Sequence, residues 1–204
     1  MRSFQIAQEP PSVVAEIADI PMWFMVESVL EPHLHGAGLG GMVLVERRLE
    51  RPYRKDYDAD GEGGATGWAR RFDLSAWGFL VAREQTRCIG SVVVACGATE
   101  LLMSEDRDDL AVIWDLRVAP EFRRQGIAAA LIRSAETWAS DRGCVLLKVE
   151  TQNVNLPACR LYARSGFCLG GIHRYAYPAL PHEVQLLWYK SLVRHEDDAS
   201  ARGE

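Results

Sequence analysis

The stretch that most constrains this chain runs from residue 111 to residue 128, AVIWDLRVAPEFRRQGIA. Its first part is an apolar run rich in β-branched and aromatic residues, Ala111, Val112, Ile113, Trp114, Leu116 and Val118, and reads as a mostly buried strand. Pro120 ends the strand, and a basic, glycine-containing turn follows: Arg123-Arg124-Gln125-Gly126-Ile127-Ala128. Beyond it Leu131, Ile132, Ala135, Trp138 and Ala139 recur at helical spacing, with Gly143 as the stop. A strand feeding a helix through a basic turn is an anion site. Unpaired N–H groups at the helix start, the positive end of its dipole and a small residue for close approach all favour a phosphate group.

The flanking sequence fits an α/β arrangement around this unit. Residues 145–150 read as a further strand, expected to lie parallel to residues 111–118 with the helix as a right-handed crossover. Upstream, residues 77–82 and 88–95 read as an antiparallel hairpin across the polar turn 83–87. Earlier still come a short helix at 13–18, a first strand at 22–26, a Gly-rich connection at 33–41 and a second strand at 42–46. Residues 50–67, ERPYRKDYDADGEGGATG, read as a polar loop, and the charged run 104–109 as a solvated one. Downstream, 151–155 is a turn and Pro157 opens a helix that runs to Arg164 and closes at Gly166; short strands follow at 167–170 and 184–192. No repeat or low-complexity linker asks for a boundary. The expectation is one domain over residues 1–204, with a core of about 20–192 and a frayed charged tail from 194.

Composition narrows the function. A formal charge of −5 argues against a nucleic-acid binder and for a cationic substrate. No apolar run is long enough to span a membrane, and the first twelve residues lack the apolar core of a signal peptide, so a cytoplasmic location is expected. The five cysteines (Cys88, Cys96, Cys144, Cys159 and Cys168) form no C-x-x-C and read as reduced, small apolar residues, with no metal site. Cys144, Cys159 or Cys168 as an acyl carrier is the less favoured reading, because each falls in an expected strand or helix.

The spacing Arg123-x-x-Gly126-x-Ala128 resembles the pyrophosphate loop of the GCN5-related N-acetyltransferase (GNAT) superfamily. The run Asn155-x-x-Ala158-x-x-x-Tyr162-x-x-x-Gly166-Phe167 resembles the superfamily helix that carries coenzyme A contacts and a catalytic tyrosine. Pro52-Tyr53-Arg54-Lys55-Asp56-Tyr57, Glu150-Thr151-Gln152 and Leu169-Gly170-Gly171-Ile172 bring the resemblance closest to the streptothricin acetyltransferases, over roughly residues 50–190. The resemblance implies an α/β GNAT fold, a mixed central sheet in which antiparallel N-terminal strands lead to a splayed parallel pair holding acetyl-coenzyme A. It implies acetyl transfer to a small polycationic amine, the β-lysine amine of streptothricin, giving antibiotic resistance. Other readings are the same chemistry on a polyamine, an aminoglycoside or a protein N-terminus, or a non-catalytic acyl-coenzyme A-binding module. A homodimer through the last strands is a further expectation.

By the same resemblance, Arg123, Arg124, Gln125, Gly126, Ile127 and Ala128 hold the pyrophosphate. Main-chain groups of Leu116 and Val118 pair with pantetheine, Asn155 contacts it, and Tyr162 protonates the leaving sulfur. Tyr53, Asp56 and Tyr57, with Asp58, Asp60 and Glu62 nearby, form a loop that attracts and packs on ammonium groups. A base must deprotonate an amine whose ordinary pKa is about 10.4. Glu150 and Asp115 are the candidates, with Glu150 preferred, and sequence alone leaves open which face of its strand each takes. Val112 stands where histone-type members place a glutamate base, which argues against that base position.

Overall fold

The computed structural model describes residues 3–59, 64–97 and 101–193. Asp60, Glu62 and the charged tail from Arg194 lie outside them. Among the described residues the chain forms one seven-stranded sheet, in the order β1-β4-β5-β6-β7-β9-β8, and a separate two-stranded hairpin, β2-β3. In chain order the strands are β1 (Gln5–Glu9), β2 (Trp23–Leu34), β3 (Met42–Asp56), β4 (Gly78–Glu84), β5 (Arg87–Cys96), β6 (Leu110–Val118), β7 (Leu146–Gln152), β8 (Cys168–His173) and β9 (Gln185–Ser191). The helices are α1 (Val14–Ala18), α2 (Trp68–Arg71), α3 (Ile127–Ser140) and α4 (Leu156–Arg164).

The strand–turn–helix unit forms as its pattern requires. Leu131, Ile132, Ala135, Trp138 and Ala139 are all buried on the inner face of α3, against Leu80, Ala82, Val92, Val94, Ala111 and Ile113 of the sheet. Val81, Val93, Ala95 and Trp114 turn to the opposite face, where they meet Val14 and Ile17 of α1 and Trp68 of α2. The sheet is thus buried on both sides, which explains the near-continuous apolar runs of β4, β5 and β6.

Among the described residues only β6 with β7 pairs in parallel, and the pairing is short: it runs from Leu110↔Leu146 to Ile113↔Val149 and stops. Beyond that point β6 stays paired with β5 as far as Val118↔Gly90, and β7 stays paired with β9 as far as Gln152↔Gln185. The two strands therefore part, leaving their facing edges open. The cause lies in β6: Val94 pairs with Ile113 and Val93 with Asp115, so Trp114 is an extra residue, a bulge. A bulge bends its strand and sharpens the local twist. It also resets the alternation of faces, which sends Leu116 and Val118 back to the α3 side.

Three expectations need correction. A strand at Gln5–Glu9 precedes the first one expected, and it sits at the sheet edge on β4. The expected first and second strands are longer than read and belong to the separate hairpin, not to the main sheet. Residues 50–56, read as loop, are the end of β3; only at Tyr57–Ala59 does the chain leave it, in a 3₁₀ turn.

Asn153, 2% exposed, fastens the hairpin to the sheet. Its Nδ2 donates to Leu30 O at 2.9 Å, and its Oδ1 accepts from Val184 N–H at 2.8 Å. Leu30 N–H donates to Asn153 O at 3.0 Å. Val26, Val29 and Val154 pack around this junction. Asn153→Ala would strip partners from Leu30 O and Val184 N–H, at about 1–3 kcal/mol for each group left buried and unpaired. A lowered urea midpoint, with faster hydrogen exchange concentrated in β2 and β3, is the expected result.

Candidate active site

The gap between β6 and β7 has a main-chain edge that can be oriented. Ala119 N–H donates to Ile89 O on β5 at 2.9 Å, and Arg117 O lies 3.0 Å from where a Cβ on Gly90 would sit. Residues 117 and 119 thus face β5, and alternation turns the N–H and C=O groups of Leu116 and Val118 the other way, into the gap.

The basic turn lies beyond the end of β6. Arg124 (φ 63°) and Gly126 (φ 84°) are both left-handed, and that backbone folds the chain directly into α3. The first main-chain bond into the helix is Ala130 N–H to Gly126 O at 3.0 Å, and no side chain caps the helix start. The amides of Ile127, Ala128 and Ala129 are left without helical acceptors. A Cβ on Gly126 would meet nothing within 4 Å, so the space in front is open. Free amides at the positive end of a 14-residue helix suit a pyrophosphate. Gln125 is exposed and donates to Glu121 O at 3.1 Å.

Arg123 has a different environment from Arg124. Its guanidinium is held by three backbone carbonyls, Val118 O at 3.0 Å, Trp23 O at 3.0 Å and Pro21 O at 3.2 Å, and lies 5.6 Å from the Trp23 ring centre. It braces the turn against the start of β2. The exposed cation at the helix start is Arg124, which has no acidic partner among the described residues.

The two candidate bases share a face. Leu147 and Val149 point to the α3 core, so Lys148 and Glu150 point to the other side, the side on which Trp114 lies. Asp115 is buried, and both its oxygens are held by Arg117, at 2.8 to 3.1 Å. Arg117 in turn donates to Ile20 O at 2.9 Å and lies 3.4 Å from Asp58. That carboxylate serves a buried clamp between β6 and the segment after α1. Glu150 is half-buried and accepts a hydrogen bond from the Tyr177 hydroxyl. Burial and the adjacent Glu150 charge push the Tyr177 phenol far above its usual range.

Tyr162, 5% exposed, stands on α4 with ring centres of Phe167 and Trp188 at 5.8 Å and 6.4 Å. Among the described residues nothing hydrogen-bonds its hydroxyl. Burial raises its pKa first, and the neighbouring Tyr57, Cys159, Asp115 and Glu150 raise it further, so the phenol keeps its proton. Asn155 caps α4 through Oδ1, which accepts from Ala158 N–H at 3.2 Å. Its Nδ2 donates to the Tyr57 hydroxyl at 3.3 Å. Tyr57 packs on Phe24, with ring centres 5.4 Å apart, and burial raises its pKa against the opposing hydrogen bonds from Asn155 and Thr151.

Tyr57, Asn155, Glu150 and Tyr162 are thus gathered at the mouth of the gap. Tyr53 and Asp56 are not part of that cluster in the same sense. Tyr53 is 41% exposed on β3 opposite Val26. Asp56 is occupied by Arg54 at 2.8 Å and by Asp58 N–H at 3.2 Å. Sequence reasoning missed Tyr177, Thr151, Asn153 and the buried pair of Lys55 and Glu183, 3.0 Å apart. Lys55 and Thr151 stand within runs that carry the family resemblance, but nothing in those runs marks either as buried or names its partner.

Residues 27–167 match the Acetyltransferase (GNAT) family. A streptothricin acetyltransferase of Escherichia coli is 31% identical over 182 residues, covering 88% of this chain and 91% of that protein. Streptothricin acetyltransferase A of Bacillus subtilis (strain 168) is 26% identical over 74% of this chain and 80% of its own length. The fold is shared with a nourseothricin acetyltransferase (TM-score 0.72, 24% identity, 93% of this chain and 99% of that one). It is shared equally with a Bacillus anthracis protein solved in complex with acetyl coenzyme A (TM-score 0.72, 22% identity, 93% and 98%). Parted parallel strands, an uncapped helix start and these relatives agree: the chain belongs to the acetyltransferase (GNAT) family and is an N-acetyltransferase.

Proposed function

We propose that this enzyme moves the acetyl group of acetyl-coenzyme A to a primary amine of a small polycationic substrate, the β-lysine amine of streptothricin, and so confers resistance to it. The observation that carries the reading is the delivery of Tyr57 by β3 onto Asn155, beside Tyr162 and Glu150. A hairpin strand of this kind closes the amine side of the gap with an aromatic wall. The streptothricin acetyltransferases among the relatives support the choice of amine. In this reading the chain works as a single domain.

Acetyl-coenzyme A supplies an activated acetyl thioester, and the residues around the gap fit it. Leu116 and Val118 offer main-chain groups to pantetheine as an added strand would, and the Leu116 N–H polarises the thioester carbonyl. The amides at the start of α3, with Arg124, hold the pyrophosphate. Glu150, directly or through a water, takes the proton of the ammonium, freeing the lone pair that forms the new C–N bond. As the C–S bond breaks, Tyr162 gives its phenolic proton to the departing sulfur. Asp115, held on both oxygens by Arg117, keeps β6 in place beside the gap.

Thiol release with acetyl-coenzyme A and streptothricin, beside spermidine, an aminoglycoside and lysine, tests the substrate: rapid turnover with streptothricin alone is expected. Turnover only on the other amines would overturn the resistance reading and leave the acetyltransferase standing. Tyr162→Phe should lower kcat by about 10²–10⁴-fold with the Kd for acetyl-coenzyme A unchanged.

Because burial holds the Tyr162 phenol above its ordinary value of about 10, it stays protonated across neutral and mildly alkaline pH. Loss of the amine's proton then sets the profile: turnover should rise with pH toward the amine's ordinary pKa of about 10.4 and show no decline up to about pH 9. A descending limb below that would give proton donation to another group.

Glu150 and Asp115 separate by a paired measurement. Glu150→Gln should depress kcat and leave the urea midpoint in place. Asp115→Asn should cost about 3–5 kcal/mol, the range for breaking a buried ion pair. A stable but inactive Asp115→Asn, with an active Glu150→Gln, would transfer the base to Asp115.

A further inference from the structure

Away from the gap, two thiols meet. Cys96 ends β5 and Cys144 stands just before β7, and their sulfurs are 2.7 Å apart. A covalent S–S bond needs about 2.05 Å, so closure asks for well under an ångström of movement. Neither the sequence spacing nor the expectation of small apolar cysteines pointed to this pair. The other thiols differ: Cys88 and Cys159 face the backbone carbonyls of Gly90 and Gln152, each at 3.9 Å, and Cys168 is exposed.

The surroundings hold the pair in register. Cys96 lies opposite Ala111 on β6, with Asp108 O 3.7 Å from its sulfur. Cys144 N–H donates to Ala139 O at 3.1 Å, at the end of α3. Cys144 is 4% exposed, whereas Cys96 is only half-buried and can be reached from solvent.

We propose that Cys96 and Cys144 are an intramolecular oxidation site that closes to a disulfide under a two-electron oxidant such as hydrogen peroxide. Cys96, as thiolate, attacks one peroxide oxygen; the O–O bond breaks, a sulfenic acid forms, and one water leaves after protonation. Cys144 gives up its proton and its sulfur displaces the sulfenic hydroxyl as a second water. Two thiols lose two protons and two electrons, and the peroxide is reduced to two waters. Burial and the adjacent Cys96 push the Cys144 thiol up to about 12, which fits Cys144 as the resolving partner and Cys96 as the first to react.

The cross-link would enclose β6, the basic turn and α3, the whole cofactor half of the site. It would sit at the end of β6 where β6 and β7 are still paired, opposite the end where they part, so turnover should survive it. The test treats the full chain with stoichiometric hydrogen peroxide, blocks remaining thiols with iodoacetamide and maps the peptides by mass spectrometry. The wild type should lose two hydrogens, take three alkyl groups on its five cysteines, and show a raised thermal midpoint with activity kept within about two-fold. Trypsin leaves Cys88 and Cys96 in one peptide, so variants make the assignment: Cys88→Ser should keep the cross-link and Cys96→Ser should lose it. Five alkylated cysteines after oxidation, a cross-link that survives Cys96→Ser, or collapse of turnover on closure would each overturn the proposal.

Discussion

The structure depends on one extra residue in one strand. A parallel pair normally keeps bonding until one strand ends. Here Trp114 is bulged out of register with β5, so β6 bends while still bonded to β5, and β7 follows β9 instead. Buried main-chain polar groups have to be paired. The bulge turns the main-chain groups of Leu116 and Val118, both half-buried, toward the open gap between β6 and β7. The aromatic group of Trp114, Phe72 and Trp77, with ring centres 5.2 to 5.6 Å apart, packs beneath the bulge and holds its shape.

Around this opening, the two sides of the site are held by different means. The cofactor side is backbone: free amides at a helix start, with left-handed geometry at Arg124 and Gly126. The amine side is side chains brought from far apart in sequence. Asn153 fastens the hairpin across a separation of 123 residues, the Lys55–Glu183 pair spans 128, and Tyr57 reaches Asn155 across 98. A helix start and a strand edge tolerate many side chains, whereas the amine side changes its chemistry with single substitutions. That division fits a superfamily fold that keeps one donor and varies the acceptor.

The same division decides what could be read from sequence. The β6–turn–α3 unit was legible because its information is local: a buried run, a proline, a glycine that must be left-handed, then helical spacing. The α4 run was legible for the same reason, through Asn155, Pro157 and Gly166. β1 was not, because QIAQE lies at a sheet edge and buries little of its surface. The second half of β3 was not, because nearly every residue from Arg47 to Arg54 is exposed, so alternation leaves no trace and charged residues read as loop. The face of Asp115 was open for a sharper reason: a bulge in β6 shifts the alternation by one, and nothing in AVIWDLRV marks Trp114 as the residue that does so. Glu150 lies on an unbroken strand, and its face follows by alternation once the core is seen to take Leu147 and Val149. Tyr177 was invisible because its role exists only once the segment before β9 folds over β7.

Trp23 carries one more consequence. Two guanidinium groups lie over its ring, Arg123 of the basic turn at 5.6 Å and Arg54 of the hairpin at 4.9 Å, and its carbonyl accepts from Arg123. The basic turn and the hairpin that leads into Tyr57 are therefore joined through one side chain. If one ligand orders that turn and the other meets the hairpin, Trp23 gives the two a shared contact through which each would act on the other. Such coupling is reciprocal by thermodynamic necessity: whatever factor the donor adds to the affinity for the amine, the amine returns to the donor.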